Sequence, residues 1–275
     1  MARIATRDGY TLQAEAHGAG LPLLLSCGLC TTLEHWRGQV EPFVKAGLRV
    51  ILWDYRGHGR SDAPDDPDAY SLELVLDDLE RVLDWAAPGE PVVLGGLSFG
   101  GLASLHMALA RPERVRALVL AATGPGFKQP EAQARWAATM ERTASLIERR
   151  GIEALLANPV AETVIGRRPE LPAAQAAARA MAAQDPRAVT HFIRRLGGPA
   201  RPMVDRLGDI QHPALVVVGA LDGAFLRAAE LMQARLPRAE CRTIADAGHI
   251  VNIEQAAAFD AAVLGFLGRL ERQPD

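Results

Sequence analysis

Pro91-Val92-Val93-Leu94-Gly95-Gly96-Leu97-Ser98-Phe99-Gly100-Gly101-Leu102 is the stretch whose reading decides the fold. Residues 91–95 form a short apolar run suited to a buried strand, and residues 102–109 suit a helix. Between them lies a G-x-S-x-G turn, Gly96 to Gly100. A serine on a tight turn between strand and helix presents its Oγ outward, and the glycines let the backbone take the strained path. The Phe99 N–H falls at the helix start, where an unpaired donor and the positive end of the helix dipole can meet a developing oxyanion. The pentapeptide alone also suits a turn that merely packs a helix on a sheet. The strand before it and the helix after it are the context that favours the chemical reading.

The chain on either side repeats the alternation. Residues 10–16, 21–26 and 48–53 read as strands, and residues 72–85 read as a helix with an apolar stripe of Leu72, Val75, Leu76, Leu79 and Leu83. A strand follows at 115–120, after Arg111-Pro112 stops the preceding helix. Residues 213–218 and 240–244 suit further strands, and 224–236 and 255–267 suit helices. Strands interleaved with helices predict an α/β fold, a mostly parallel central sheet with helices on both faces. Residues 126–201 break the pattern. They are rich in alanine and arginine, carry breakers such as Gly151, Pro159 and Pro186, and predict several short helices. The expected organisation is a core of 1–125 and 202–275 with a helical cap inserted at 126–201.

Composition bounds the function. The 275 residues are 49% hydrophobic and 23% charged, ordinary for a globular chain. A net charge of −3 gives no reason to expect nucleic acid or an anionic membrane surface. The start of the chain has no apolar run of signal-peptide length, and the longest apolar runs are strand-sized, so no membrane span is expected. Three cysteines suit a reducing cytoplasm. Cys27-Gly28-Leu29-Cys30 is formally C-x-x-C, but no second pair follows, so two small side chains on a loop is the better reading than a redox or zinc site. No metal or cofactor is expected.

An unactivated serine is a poor nucleophile, so Ser98 needs a base and the base needs an orienting acid. Of seven histidines, His249 stands in Ala247-Gly248-His249-Ile250, after the last strand and before the last helix. Loops at the carboxyl ends of parallel strands gather active-site residues. Asp222 ends Val216-Val217-Val218-Gly219-Ala220-Leu221-Asp222 in the same kind of place. It can serve as the acid, or merely cap the next helix. Asp246 is nearer His249 in sequence, but sequence proximity does not set geometry. The order Ser98, Asp222, His249 is that of a triad on such a sheet.

With these motifs, and with Asp54-Tyr55-Arg56-Gly57-His58-Gly59-Arg60-Ser61-Asp62, the chain resembles the α/β-hydrolase-fold enzymes that carry a cap, over nearly its whole length. Closest are the 3-oxoadipate enol-lactonase-like and small carboxylesterase members. A serine at the nucleophile position separates it from the dehalogenases, which the resemblance implies use aspartate there. Relatives usually carry His-Gly in the loop after the third strand; here the pair is Cys27-Gly28. The match therefore assigns the second oxyanion donor to the Leu29 N–H, acting with Phe99. The Asp54 to Asp62 turn is expected to be structural.

The expected activity is cleavage of a small ester or lactone through an acyl-enzyme. C–C bond hydrolysis of vinylogous diketones on the same triad, and non-catalytic binding of a small molecule on this fold, are the alternatives. Cys30, Phe127, Trp136, Met140, Phe192 and Phe225 are the expected pocket residues, with Leu226 beside Phe225. The cap holds 12 Lys+Arg against 7 Asp+Glu, a net +5 that hints at an anionic substrate or product. The sequence leaves the oligomeric state open.

Overall fold

The structure is a computed structural model that describes residues 1–199, 201–270 and 272. Residue 200 of the expected cap, and residues 271 and 273–275 of the expected core, lie outside the described residues. The centre is an eight-stranded sheet in the order β1-β2-β4-β3-β5-β6-β7-β8. The strands are β1 (Ala2–Ala5), β2 (Thr11–His17), β3 (Leu21–Ser26), β4 (Leu48–Trp53), β5 (Val92–Leu97), β6 (Val115–Ala121), β7 (Ala214–Gly219) and β8 (Ala239–Ile244). β1 pairs antiparallel with β2, and β2 antiparallel with β4. From β4 to β8 every pairing is parallel.

Burial follows sequence. β5 and β7 are buried at every residue, as uninterrupted apolar runs in a covered parallel sheet should be. Strand β8, at the sheet edge, is half exposed and carries Glu240 and Arg242. β1 was not expected, because a four-residue strand with one buried side chain, Ile4, leaves almost no periodic signal. Helix α1 (Arg37–Lys45) follows a 3-10 turn at Leu33–Trp36. Helix α2 (Leu72–Ala86) starts at Ser71, whose Oγ accepts from Leu74 N at 3.2 Å, and buries Val75, Leu79 and Leu83 of the expected stripe. Helix α3 (Phe99–Ala110) begins three residues before its expected start. Nine of its twelve residues are buried, so it lies deep against the sheet.

Between β6 and β7 the chain is helical, but not as expected. The first helix, α4 (Pro130–Arg150), runs 21 residues where short helices were expected. Only Ala144 and Ile147 are buried in it, so the apolar stripe that marks a long helix is thin. Short helices follow: α5 (Ile152–Leu156), α6 (Glu162–Ile165), α7 (Pro172–Ala182) and α8 (Pro186–Phe192), then a π-turn at Ile193–Gly197. Ile147, Ile152, Leu155, Met181 and Val189 form a small apolar cluster of this insertion, joined by Cys30 from the core. The chain closes with α9 (Gly223–Arg235), α10 (Val251–Glu254) and α11 (Ala256–Leu270).

Candidate active site

Ser98 sits where β5 ends and α3 begins, with φ 53° and ψ −115°. A non-glycine residue rarely takes a positive φ, and holding one there costs about 1–3 kcal/mol that the surroundings must offset. Two glycines make room. A Cβ on Gly96 would lie 2.1 Å from the Gly100 carbonyl carbon, and one on Gly100 would lie 2.4 Å from the Ser26 carbonyl oxygen. The turn is tied to β6 as well: Ser98 N donates to Ala121 O at 2.9 Å, and Thr123 Oγ1 donates to Ser98 O at 2.5 Å.

Asp222 and His249 reach the same place from the ends of β7 and β8. Leu221 N donates to Ala247 O at 2.8 Å and holds the two strand-end loops together. Asp222 Oδ2 lies 2.8 Å from His249 Nδ1, with both side chains buried. The carboxylate does not cap α9, so the capping alternative falls away. A carboxylate only accepts, so the proton of neutral His249 sits on Nδ1, and Nε2 keeps its lone pair. The Phe225 ring lies 4.7 Å from the imidazole, centroid to centroid. Ser98, Asp222 and His249 line one cavity. Among the described residues neither Ser98 Oγ nor His249 Nε2 makes a hydrogen bond, so both are free toward that cavity.

Glu254 was not anticipated. Buried at 2% exposure, it accepts from Gly248 N at 2.8 Å and from Ile250 N at 3.2 Å, one carboxylate gripping both neighbours of His249. An acid inside the apolar run Ile250-Val251-Asn252-Ile253-Glu254 was the available signal, since a buried carboxylate requires partners.

Leu29 and Phe99 border a second cavity together with Ser98, and their N–H groups donate to no group among the described residues. The loop carrying Leu29 is supported without the histidine of its relatives. Tyr55 Oη donates to Cys27 O at 3.1 Å, and Gly28 N donates to Thr31 Oγ1 at 2.8 Å. Gln184, from the insertion, donates through Nε2 to Cys30 O at 2.8 Å and accepts from Gly59 N at 3.1 Å. Gln184 and Thr123 were not singled out from sequence, because each acts through a long-range contact to backbone, and Thr31 was not because its bonds to Gly28 belong to a local turn. Cys27 and Cys30 are free and buried. Burial drives both thiols up, Cys30 to about 12, so they stay protonated and unreactive.

Of the expected pocket residues, Phe127, Trp136 and Phe225 line the cavity shared by Leu29 and Phe99, while Cys30 and Met140 line the one holding His249. Phe192 lines neither. It is fully buried, 5.2 Å from the Phe99 ring and 4.5 Å from the His58 ring, where it supports the site from behind. Leu226 packs on the main core instead. The Asp54 to Asp62 turn is scaffolding. Arg56, 1% exposed, meets Asp78 through Nε and Nη2 and also holds Asp8, while Asp54 accepts from Leu33 N and Arg60 N. Among the described residues no three His, Cys, Asp or Glu side chains are grouped to hold a metal, and no helix is long and apolar enough to cross a membrane.

A strand-end serine with positive φ, lining one cavity with a histidine paired to a buried aspartate, defines a class, and residues 22–256 match the model of the alpha/beta hydrolase fold. The chain belongs to that family. Among curated relatives, RutD of Variovorax paradoxus, provisionally named a carbamate hydrolase, is 30% identical over 94% of this chain and 97% of its own. Among solved structures, a thermophilic esterase from Thermogutta terrifontis superposes with TM-score 0.83 at 27% identity, covering 98% of each chain. The enol-lactonase from Burkholderia xenovorans LB400 gives TM-score 0.80 at 26% identity, over 97% of this chain and all of its own.

Proposed function

We propose that the chain is a serine hydrolase that cleaves a carboxylic ester or lactone through an acyl-enzyme, with Ser98 as nucleophile, His249 as base and Asp222 as its orienting acid. The observation that carries this reading is the pairing of buried Asp222 with His249 Nδ1 at 2.8 Å in the cavity that Ser98 lines. The strained φ of Ser98 agrees with a functional role for it, since backbone strain of this kind gathers at functional sites. That its structural neighbours include an esterase and an enol-lactonase agrees with it.

Ser98 Oγ attacks the carbonyl carbon and its proton passes to His249 Nε2. The carbonyl oxygen becomes an oxyanion facing the Leu29 and Phe99 N–H groups. The C–O bond to the leaving group breaks, and Nε2 returns the proton to the departing oxygen. Water then adds to the acyl carbon, giving its proton to Nε2. The acyl–Oγ bond breaks and the proton returns to Oγ. Ester and water become acid and alcohol. Free rotation of the Ser98 hydroxyl and substrate binding close the serine–histidine contact, which in ligand-free sites is commonly long. The inserted helices cover the site as a cap, and the protein acts in the cytoplasm.

The test is covalent labelling by an organophosphonate, located by mass spectrometry, with burst kinetics on a chromogenic ester. Label on Ser98 and a burst are expected. Ser98→Ala is expected to lower kcat by roughly 10³-fold or more. Near-normal turnover by that variant would refute the mechanism.

A further inference from the structure

Two chambers meet at Ser98. The first, about 210 Å³, extends past Phe99 and Phe127 to Ala228. The second, about 160 Å³, holds Asp222 and His249 and extends past Met140 to Val160. Leu29, Trp136 and Phe225 border both. Among the described residues neither lining contains a lysine, arginine or glutamate, and the one aspartate and one histidine present are bonded to each other.

The remaining polar side chains are already committed. Thr123 Oγ1 donates to Ser98 O, Thr31 Oγ1 to Gly28 O, and Thr139 Oγ1 to Arg135 O. Thr143 Oγ1 donates to Thr139 O, Thr163 Oγ1 to Val160 O, and Trp136 Nε1 to Gly197 O. Apart from Ser98 and His249, only the weak Cys30 thiol remains as a side-chain donor. The arginines of the insertion are engaged elsewhere: Arg194 with Glu141 and Glu148, Arg195 with Asp68, Arg201 with Glu73. None of the lysines and arginines counted along 126–201 lines either chamber; Arg167, whose stem passes Gly248 beside His249, pairs with Glu162.

A carboxylate entering either chamber would lose its water with no cation or side-chain donor to replace it, a cost far above what its methylenes recover. We infer that the substrate is an uncharged, open-chain ester with apolar groups on both sides of the carbonyl, an inference that rests on the serine-hydrolase reading above. Two chambers that meet at Ser98 and extend to different residues beyond it suit two arms, whereas a lactone ring joins them. The leaving oxygen takes its proton from His249 Nε2, so the alcohol arm occupies the His249 chamber. The acyl arm occupies the chamber of Phe127 and Ala228, which His249 does not line.

The experiment compares kcat/KM for 4-nitrophenyl acetate, butyrate and pentanoate with the mono-4-nitrophenyl ester of glutaric acid, an acyl arm of matched length ending in a carboxylate. Ser98 labelling by a small organophosphonate is measured in parallel. A gain of about fourfold per methylene is expected along the neutral series, with the glutarate ester at least ~100-fold below pentanoate. Ala228→Phe is expected to remove the chain-length gain, bringing the pentanoate-to-acetate ratio of kcat/KM close to one. Val160→Phe is expected to depress hexyl acetate relative to methyl acetate, while the pentanoate-to-acetate ratio of the acyl series keeps its value. Equal turnover of glutarate and pentanoate esters, with Ser98 labelled, would overturn the inference and leave the hydrolase reading standing. Swapped responses of the two variants would overturn the assignment of arms to chambers. Absence of Ser98 labelling and of turnover would remove the hydrolase reading, and the inference with it. The comparison on the unaltered protein decides the charge question even if a variant fails to fold.

Discussion

At the residue scale, the site depends on backbone that only glycine can supply. Gly100→Ala would press a methyl against the Ser26 carbonyl, which cannot move without shifting β3. A loss of about 1–3 kcal/mol is expected, seen as a lower melting temperature, and turnover should fall further because the turn carries Ser98. Asp222→Asn should leave the fold intact and lower kcat by on the order of 10³–10⁴, measured on any ester the unaltered protein cleaves. Ser98 and Asp222 were legible because each follows an apolar run that can only be a covered strand, whereas His249 follows the half-exposed edge strand β8 and was legible from its place between the last strand and the last helix. Phe192 was misread for a physical reason. An aromatic side chain in an alanine-rich segment announces burial, but not whether it faces a cavity or closes it from behind. Gln184 and Glu254 left fainter traces still: the partners of Gln184 are backbone atoms distant in sequence, and those of Glu254 are amides of the loop just before its own short helix.

At the scale of elements, the loop between β3 and α1 stands out because its support differs from what the resemblance leads one to expect. With cysteine where relatives have histidine, the carbonyls of Cys27 and Cys30 are held by Tyr55 and by Gln184. Gln184→Leu would leave a buried carbonyl without its donor, a penalty of about 1–3 kcal/mol. It should also loosen the Leu29 amide. A fall in kcat of about tenfold with KM changed less than twofold is expected, and steady-state kinetics on a short ester would show it. The parallel sheet was readable from alternation alone. Helix α4 was not, because its half-exposed alanines and arginines blur the periodicity that a deeply buried helix such as α2 shows plainly.

For the molecule as a whole, acid stability is set by opposing buried groups. Burial pushes His58 and His106 down to about 4, and His35 down as well. Each is neutral in the fold but protonates in the unfolded chain as pH falls below about 6.5, so each removes stability between that pH and its folded value. Burial pushes Asp54, Asp78 and Asp260 up to about 6. These bind protons in the fold first, so they add stability as pH falls from about 6 toward 4. A shallow dependence results. Replacing His58 by leucine removes one term. The melting temperature of the variant relative to the unaltered protein should therefore be higher at pH 5 than at pH 7.5, by about 4 °C, read by calorimetry across that range. An unchanged difference would count against His58 as an acid-sensitive group. The Gln184 bridge carries a broader consequence: the segment between β6 and β7 is not an exchangeable accessory. Transplanting a foreign one would remove the amide that steadies Cys30, so a chimera designed to alter selectivity would forfeit reaction rate until a new anchor for that carbonyl was engineered into the graft.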